Sequence, residues 1–266
     1  MEYQQYRSLT WCVAQSFMFV YSLYLLVPAK IQRLERNDPR HIKHRMIALF
    51  IITFVCGLVT WLAFTRESDF NMLLYGGLSL SGTFLPVLSY VILFLGPLSQ
   101  MCLLPLSCEP NLCFDWWIDL RNLCIAPITE ELVFRSFMAA TVLPYFSKQF
   151  IVNVLPLFFG VAHVHHAIMR VRRRESNLRD AVSTALFQSL YTTLFGALMM
   201  ETLLTTNNSL AIILIHSWCN LMGFPPILAI FDGDYELSRR IAVLFFYFLG
   251  IYLFFYFDKL IPLFYI

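Results

Sequence analysis

Met46-Ile47-Ala48-Leu49-Phe50-Ile51-Ile52-Thr53-Phe54-Val55-Cys56-Gly57-Leu58-Val59-Thr60-Trp61-Leu62-Ala63-Phe64 runs without a single charged side chain. About 20 apolar residues are what a helix needs to cross the ~30 Å hydrocarbon core of a bilayer. The stretch is a continuous apolar run, not the alternating pattern of a barrel strand. It follows Arg40, Lys43 and Arg45, basic residues of the kind that flank a membrane helix on its cytosolic side. The reading is a transmembrane helix.

The same pattern recurs along the chain. Hydrophobic residues make up 59% of the 266 and charged residues 14%, against about 25% charged in an average soluble domain. This composition excludes a soluble globular enzyme and a disordered or collagen-like chain. The fold class it predicts is all-α, a polytopic transmembrane helix bundle of about eight spans. We place them near 11–29, 46–64, 84–106, 122–143, 151–169, 181–200, 209–231 and 241–257. The first span has no signal-peptide cleavage pattern and reads as a retained helix.

The third span is a choice. Residues 70–108 carry no charge, and one helix of that length would run about 58 Å, too long for a bilayer. One span preceded by an interfacial or re-entrant piece around Gly76-Gly77 puts the loops 30–45, 107–121, 170–180 and 232–240 on one side. Those loops hold fourteen of the 19 lysines and arginines. Under the positive-inside rule they face the cytosol, and both termini face the other way. The basic loops read as topology determinants and contacts to anionic lipid. The bilayer is an expected partner and nucleic acid is not.

Seven cysteines make no disulfide framework. Cys12, Cys56, Cys102, Cys124 and Cys219 sit in apolar runs and read as small buried residues. Cys108 and Cys113 lack the second pair that a zinc site needs.

Ionisable groups inside spans are costly and mark function. Three clusters qualify. In Thr129-Glu130-Glu131-Leu132-Val133-Phe134-Arg135, Glu131 and Arg135 are i,i+4 in the favourable order. Glu130 lies about 100° around the helix and is left for another task. A buried ion cluster in which both carboxylates bracket Arg135 is the plainer reading. The second cluster is Phe159-Gly160-Val161-Ala162-His163-Val164-His165-His166, with Phe159 and His163 on one face. The third is His216-Ser217-Trp218-Cys219-Asn220, with His216 and Asn220 i,i+4 before a helix-ending Pro225-Pro226. At 1.5 Å per residue, Glu130 and His216 lie about 12 Å deep, His163 about 9 Å and Asn220 about 6 Å. All four open toward the cytosol.

A carboxylate, two imidazoles and an amide suit hydrolysis. The carboxylate and one His activate water, and a second His with the Asn donates to an oxyanion. A thiol mechanism has only Cys124 and Cys219 as candidates, and neither shares a face with a base. Glu130, His163 and His216 could ligate zinc, although the chain has no His-Glu-x-x-His motif. A transporter would also bury Glu, His and Arg, but with repeated halves that are not seen here. A non-catalytic scaffold of the same fold is a further alternative.

The order Glu130-Glu131-x-x-x-Arg135, Phe159-x-x-x-His163, His216-x-x-x-Asn220 resembles the motif set of the type II CAAX prenyl proteases, a branch of a wider family that includes bacteriocin-processing membrane proteases. Longer matches over Pro127–Arg135, Phe158–His166 and His216–Pro225, with Ala185-Leu186-Phe187-Gln188 and Thr193-Leu194-Phe195-Gly196, are similar to the eukaryotic branch. The likeness is strong over 110–226; the first hundred residues match in hydrophobic plan only, and the chain is short for the family. The resemblance implies one integral-membrane protease domain over 1–266, with its catalytic motifs within 127–225. It implies that Glu130 and His163 activate water and that His216 and Asn220 form the oxyanion hole. Glu131 and Arg135 then act as supports, with no metal and no cofactor. The implied substrates are prenylated C-terminal CAAX proteins such as Ras-like small GTPases, cut to release the aaX tripeptide. The implied location is the endoplasmic reticulum membrane, with the site facing the cytosol.

Overall fold

A computed structural model describes residues 2–64, 82–104, 115–172, 177–231 and 235–264. The chain is all-α, a membrane helix bundle, with no strand among these residues. The helices are α1 (Glu2–Leu25), α2 (Pro39–Ala63), α3 (Phe84–Leu93), α4 (Leu95–Leu103), α5 (116–142), α6 (Lys148–Ala162), α7 (Val164–Arg172), α8 (Leu178–Thr206), α9 (Ser209–Met222) and α10 (Leu237–Leu260).

Four helical stretches among the described residues are long and apolar enough to cross a membrane: Pro39–Ala63, Lys148–Val171, Leu178–Thr206 and Leu237–Leu263. They cover the expected spans at 46–64, 151–169, 181–200 and 241–257. Only 17–29% of the residues in their most apolar windows are buried inside the protein. The remaining apolar surface needs lipid around it, because a soluble monomer does not expose patches of that extent. The span expected at 84–106 is the pair α3 and α4, bent by 49°. The bend leaves room for α10, whose Tyr247 hydroxyl donates to Gln100 Oε1 at 2.8 Å.

The other three expected spans fall on helices of different character, so eight single long helices are not what is seen. α1 starts and ends earlier than 11–29; it stops at Leu25, and the extended Pro28 begins the next turn, Ala29–Gln32. α9 ends at Met222 rather than near 231. Gly223 there takes φ +66°, a conformation few other residues adopt, and Pro225-Pro226 cannot resume the helix. The run expected at 122–143 is α5, where two π-helical turns, Leu120–Ile125 and Leu132–Phe137, flank the α-helical Ala126–Glu131. The re-entrant piece expected around Gly76-Gly77 and the Cys108–Cys113 pair lie outside the described residues. Cys12 and Cys56 are buried as expected. Cys102 and Cys124 are exposed, because the apolar runs that carry them turn those faces outward.

α5 is the centre of the bundle. Phe134, Phe137 and Met138 are buried against α1, α2 and α6, with Phe19 and Phe159 edge-on to Phe134 at 5.1 Å each. The two ends of the bundle differ in charge. At one end Arg121 of α5 donates from Nη1 to the Arg36 carbonyl at 3.1 Å. At the other, Arg7 donates to the Ala63 carbonyl at 2.9 Å and Gln5 to the Tyr145 carbonyl at 3.1 Å. The loop 30–45 and residue 121 therefore meet at one end, as the charge distribution predicts.

α6 and α8 pack backbone to backbone. A Cβ on Gly160 would fall 2.7 Å from the Ser189 carbonyl oxygen and closer still to Thr193 Oγ1. Overpacking of this kind costs about 1–3 kcal/mol. Gly160→Ala should therefore lower the melting temperature in detergent clearly, while Phe248→Ala, on an exposed face of α10, should leave it near wild type. Equal melting of the two variants would contradict this packing.

Candidate active site

The α-helical turn Ala126–Glu131 carries both carboxylates. It is the piece between two π turns, which widen the helix by a residue per turn and often occur at functional sites. Glu131 is completely buried and Arg135 is 1% exposed. Glu131 Oε2 lies 3.3 Å from Arg135 Nε, the i,i+4 pair the spacing predicts. The guanidinium makes no well-aligned hydrogen bond among the described residues. Charge and stacking hold it instead: its Cζ sits 3.9 Å above the Phe159 ring and 5.8 Å from that of Phe195. Gly196 makes room for it, since a Cβ there would come within 3.1 Å of Nη2.

Glu131 has a second partner that the spacing does not reveal. Its Oε1 accepts a 2.6 Å hydrogen bond from His216 Nδ1 on α9. A carboxylate only accepts, so Nδ1 carries the proton and the opposite nitrogen, Nε2, is turned toward Glu130. Nε2 lies 3.9 Å from Glu130 Oε2. Both carboxylates thus approach one imidazole, although they sit about 100° apart on an ideal helix. Phe195 and Phe159 wall the same ring at 5.0 and 6.4 Å.

His163 stands at the junction of α6 and α7. Its Nδ1 donates to the Phe159 carbonyl at 2.8 Å, which makes Nε2 the acceptor of the neutral ring. The ring is edge-on to Phe159 at 4.5 Å. Glu130 and His163 line one cavity of about 110 Å³ with Asn122, Phe134, Phe159 and Ala162. Its wall also includes Arg36, Arg45 and Arg121.

Asn220 is one turn past His216 and exposed. Its Nδ2 donates to the Asn122 carbonyl at 2.9 Å. Asn122 Oδ1 accepts from Arg121 Nε at 2.9 Å, and Arg121 Nη1 reaches Asn37 Oδ1 at 3.2 Å. This clamp ties α9, α5 and the basic loop together at the mouth of the cavity. The structure thus brings Glu130, Glu131, Arg135 and His216 into one cluster and puts Glu130 and His163 on one cavity; Asn220 does not line that cavity but is bonded to Asn122, which does. Cys219 is half-buried and Cys124 exposed. Among the described residues no three His, Cys, Asp or Glu side chains are arranged to hold a metal ion.

Sequence reasoning missed Phe195, Asn122 and Arg121 as parts of the site. Phe195 fell in a matched segment, but nothing in that segment pointed to a guanidinium. Asn122 meets Asn220 through its main-chain carbonyl, which leaves no mark in side-chain patterns.

A model of the family described as type II CAAX prenyl endopeptidase Rce1-like matches residues 112–222. The chain is 35% identical to the human CAAX prenyl protease 2 over 240 residues, covering 82% of this chain and 71% of the relative. It is 33% identical to the rat CAAX prenyl protease 2 over 239 residues, 82% and 69% of the two chains. With the Caenorhabditis elegans CAAX prenyl protease 2 it shares 29% over 206 residues, 72% and 75%. No solved structure matches the chain.

Removing one partner of a buried ion pair strands the other and costs about 3–5 kcal/mol. Arg135→Met should therefore destabilise the protein strongly, and Glu131→Gln added to it should restore part of the loss. Thermal unfolding of the singles and the double in one detergent gives the coupling; a coupling near zero would contradict the pair. Arg135→Lys should recover less than charge alone predicts, because an ammonium cannot stack flat on Phe159.

Proposed function

Since the chain belongs to the type II CAAX prenyl endopeptidase family, we propose that this membrane peptide hydrolase releases the aaX tripeptide from prenylated CAAX proteins, with Glu130 and His163 activating the attacking water. The observation that carries the assignment is the cavity they share, with His216 Nε2 3.9 Å from Glu130 Oε2.

Glu130 accepts a proton from the water as its oxygen attacks the carbonyl carbon of the prenylated cysteine. His163 orients that water through Nε2, the acceptor left by its Nδ1–H bond to Phe159. The carbonyl oxygen takes on negative charge and is stabilised by donors from His216 and Asn220. His216 uses Nε2–H for this, because Nδ1–H is committed to Glu131; a ring that donates from both nitrogens is the imidazolium, and the Glu130 and Glu131 carboxylates flank it. Asn220 has a second N–H beyond the one given to Asn122. Collapse breaks the C–N bond, and Glu130 returns its proton to the leaving amine. The products are a prenylcysteine carboxylate and a free tripeptide. Glu131 and Arg135 support the chemistry from the buried side and touch no substrate.

A second cavity supports the lipid half of the substrate. It is about 400 Å³, lies between α1 and α6–α7, and is lined by Phe17, Val20, Leu157, Val161 and Ile168 among others. It shares Val20 and Ala162 with the Glu130 cavity. A prenyl chain gains about 0.8 kcal/mol for each buried CH2, so an apolar recess beside the scissile bond suits it. Ras-like small GTPases are the substrates that the reading favours. The endoplasmic reticulum membrane is the location it favours, with the basic end of the bundle and the cavity mouth toward the cytosol. The whole chain acts as one catalytic domain.

The test is tripeptide release from a farnesylated CAAX peptide by purified protein. Glu130→Ala and His163→Ala should abolish release while the protein still inserts, and normal turnover by either would remove its role. Asn220→Ala should lower turnover by on the order of 10²–10³ with little change in binding. A metal chelator, Cys124→Ala and Cys219→Ala should each leave turnover in place. Zinc that is lost together with activity would replace this mechanism with a metal-bound water.

A further inference from the structure

A third cavity, of about 560 Å³, opens at the basic end of the bundle. Its lining includes Gln32, Glu35, Arg36, Asn37, Arg45 and Arg170. Three arginines and one glutamate are among the residues that line it. It shares Leu23, Arg36, Arg45 and His165 with the Glu130 cavity, so the two adjoin along that wall. The hydrolytic mechanism uses none of these arginines, and a charge-to-lipid role does not account for Arg36 and Arg45 lining an internal recess.

The chemistry of a CAAX terminus does. Beyond the scissile bond lie three residues and then a free α-carboxylate, the one charge every such terminus carries. Three residues reach at most about 11 Å when extended. The apolar cavity takes the prenyl side of the bond, which leaves the polar neighbour for the tripeptide. Its volume falls in the range of small-molecule sites, and arginine pairs with carboxylates through two parallel N–H bonds. Arg121, the other arginine on the catalytic wall, already donates to Arg36, Asn37 and Asn122. It holds the loop that presents Arg36.

We propose that Arg36 and Arg45 bind the α-carboxylate of the substrate's last residue in this basic cavity, and so set the cut three residues from a free C-terminus. The inference rests on the hydrolytic reading above. Both arginines line the shared wall, Arg36 exposed and Arg45 half-buried, which suits a carboxylate entering from water and settling toward the site. Glu35, on the same cavity, disfavours an acidic side chain beside it.

The experiment compares two farnesylated peptides of one sequence, one ending in the acid and one in the carboxamide, with the full-length protein in nanodiscs of zwitterionic lipid. Neutral headgroups leave no lipid anion competing for the same guanidiniums. The wild type should show kcat/KM about 10–100-fold higher for the acid, the range expected for a charge-assisted bond, mostly through KM. In Arg36→Gln/Arg45→Gln that ratio should fall toward one. A wild-type ratio near one overturns the proposal without needing any variant, and so does a double variant that folds and keeps the full ratio. If the double variant does not fold, Arg36→Gln alone should lower the ratio, and an unchanged ratio there overturns Arg36's part. Cleavage of neither peptide by the wild type overturns the hydrolytic reading and the subsite with it, whereas cleavage of both at equal rates overturns the subsite alone.

Discussion

A guanidinium taken out of water inside a membrane bundle must be paired, and the pairing of Arg135 with Glu131 organises what surrounds it. The pair sits on α5, but its consequences reach three other helices. The Phe159 ring of α6 lies 3.9 Å from the guanidinium carbon, and that of Phe195 of α8 lies 5.8 Å from it. His216 of α9 takes the second oxygen of Glu131. An unpaired arginine at this position would be destabilising by several kcal/mol, so these helices are held in one mutual arrangement. Glu130, one residue away, inherits a fixed position without spending its own carboxylate on the pair.

The second constraint acts at the mouth. Asn220, Asn122 and Arg121 form a chain of hydrogen bonds from α9 through α5 to the loop carrying Arg36 and Asn37. Three recesses share His165 in their walls: a small one with Glu130 and His163, an apolar one between α1 and α6–α7, and a basic one beside the loop. Their chemistry divides as a lipidated peptide end divides, with a greasy side chain, a bond to be cut and a terminal charge.

Much of this was readable in the sequence, for physical reasons. Residues 46–64 read as a membrane helix because lipid admits only helices and closed barrels, and the run lacks the alternation of a barrel strand. Glu131 and Arg135 had to be neighbours because i,i+4 positions share a face. What depends on contacts between distant segments was not readable. The bond from His216 to Glu131 joins residues 85 apart. The π turns of α5 on either side of Ala126–Glu131 follow no local motif in the sequence. Phe195 looked like one more apolar residue in a chain with 26 phenylalanines. The end of α9 at Met222 was foreshadowed by Pro225-Pro226, yet the hydrophobic run beyond it extended the expected span to 231.

The central claim is that two adjacent carboxylates do different work: Glu131 holds the bundle and Glu130 performs the chemistry. The most direct measurement takes Glu130→Gln and Glu131→Gln, purified side by side, and records melting temperature and tripeptide release on the same samples. The account predicts that Glu130→Gln melts close to wild type and releases no tripeptide, whereas Glu131→Gln melts well below both. A Glu131→Gln protein as stable as wild type, or a folded Glu130→Gln protein that still turns over, would contradict it.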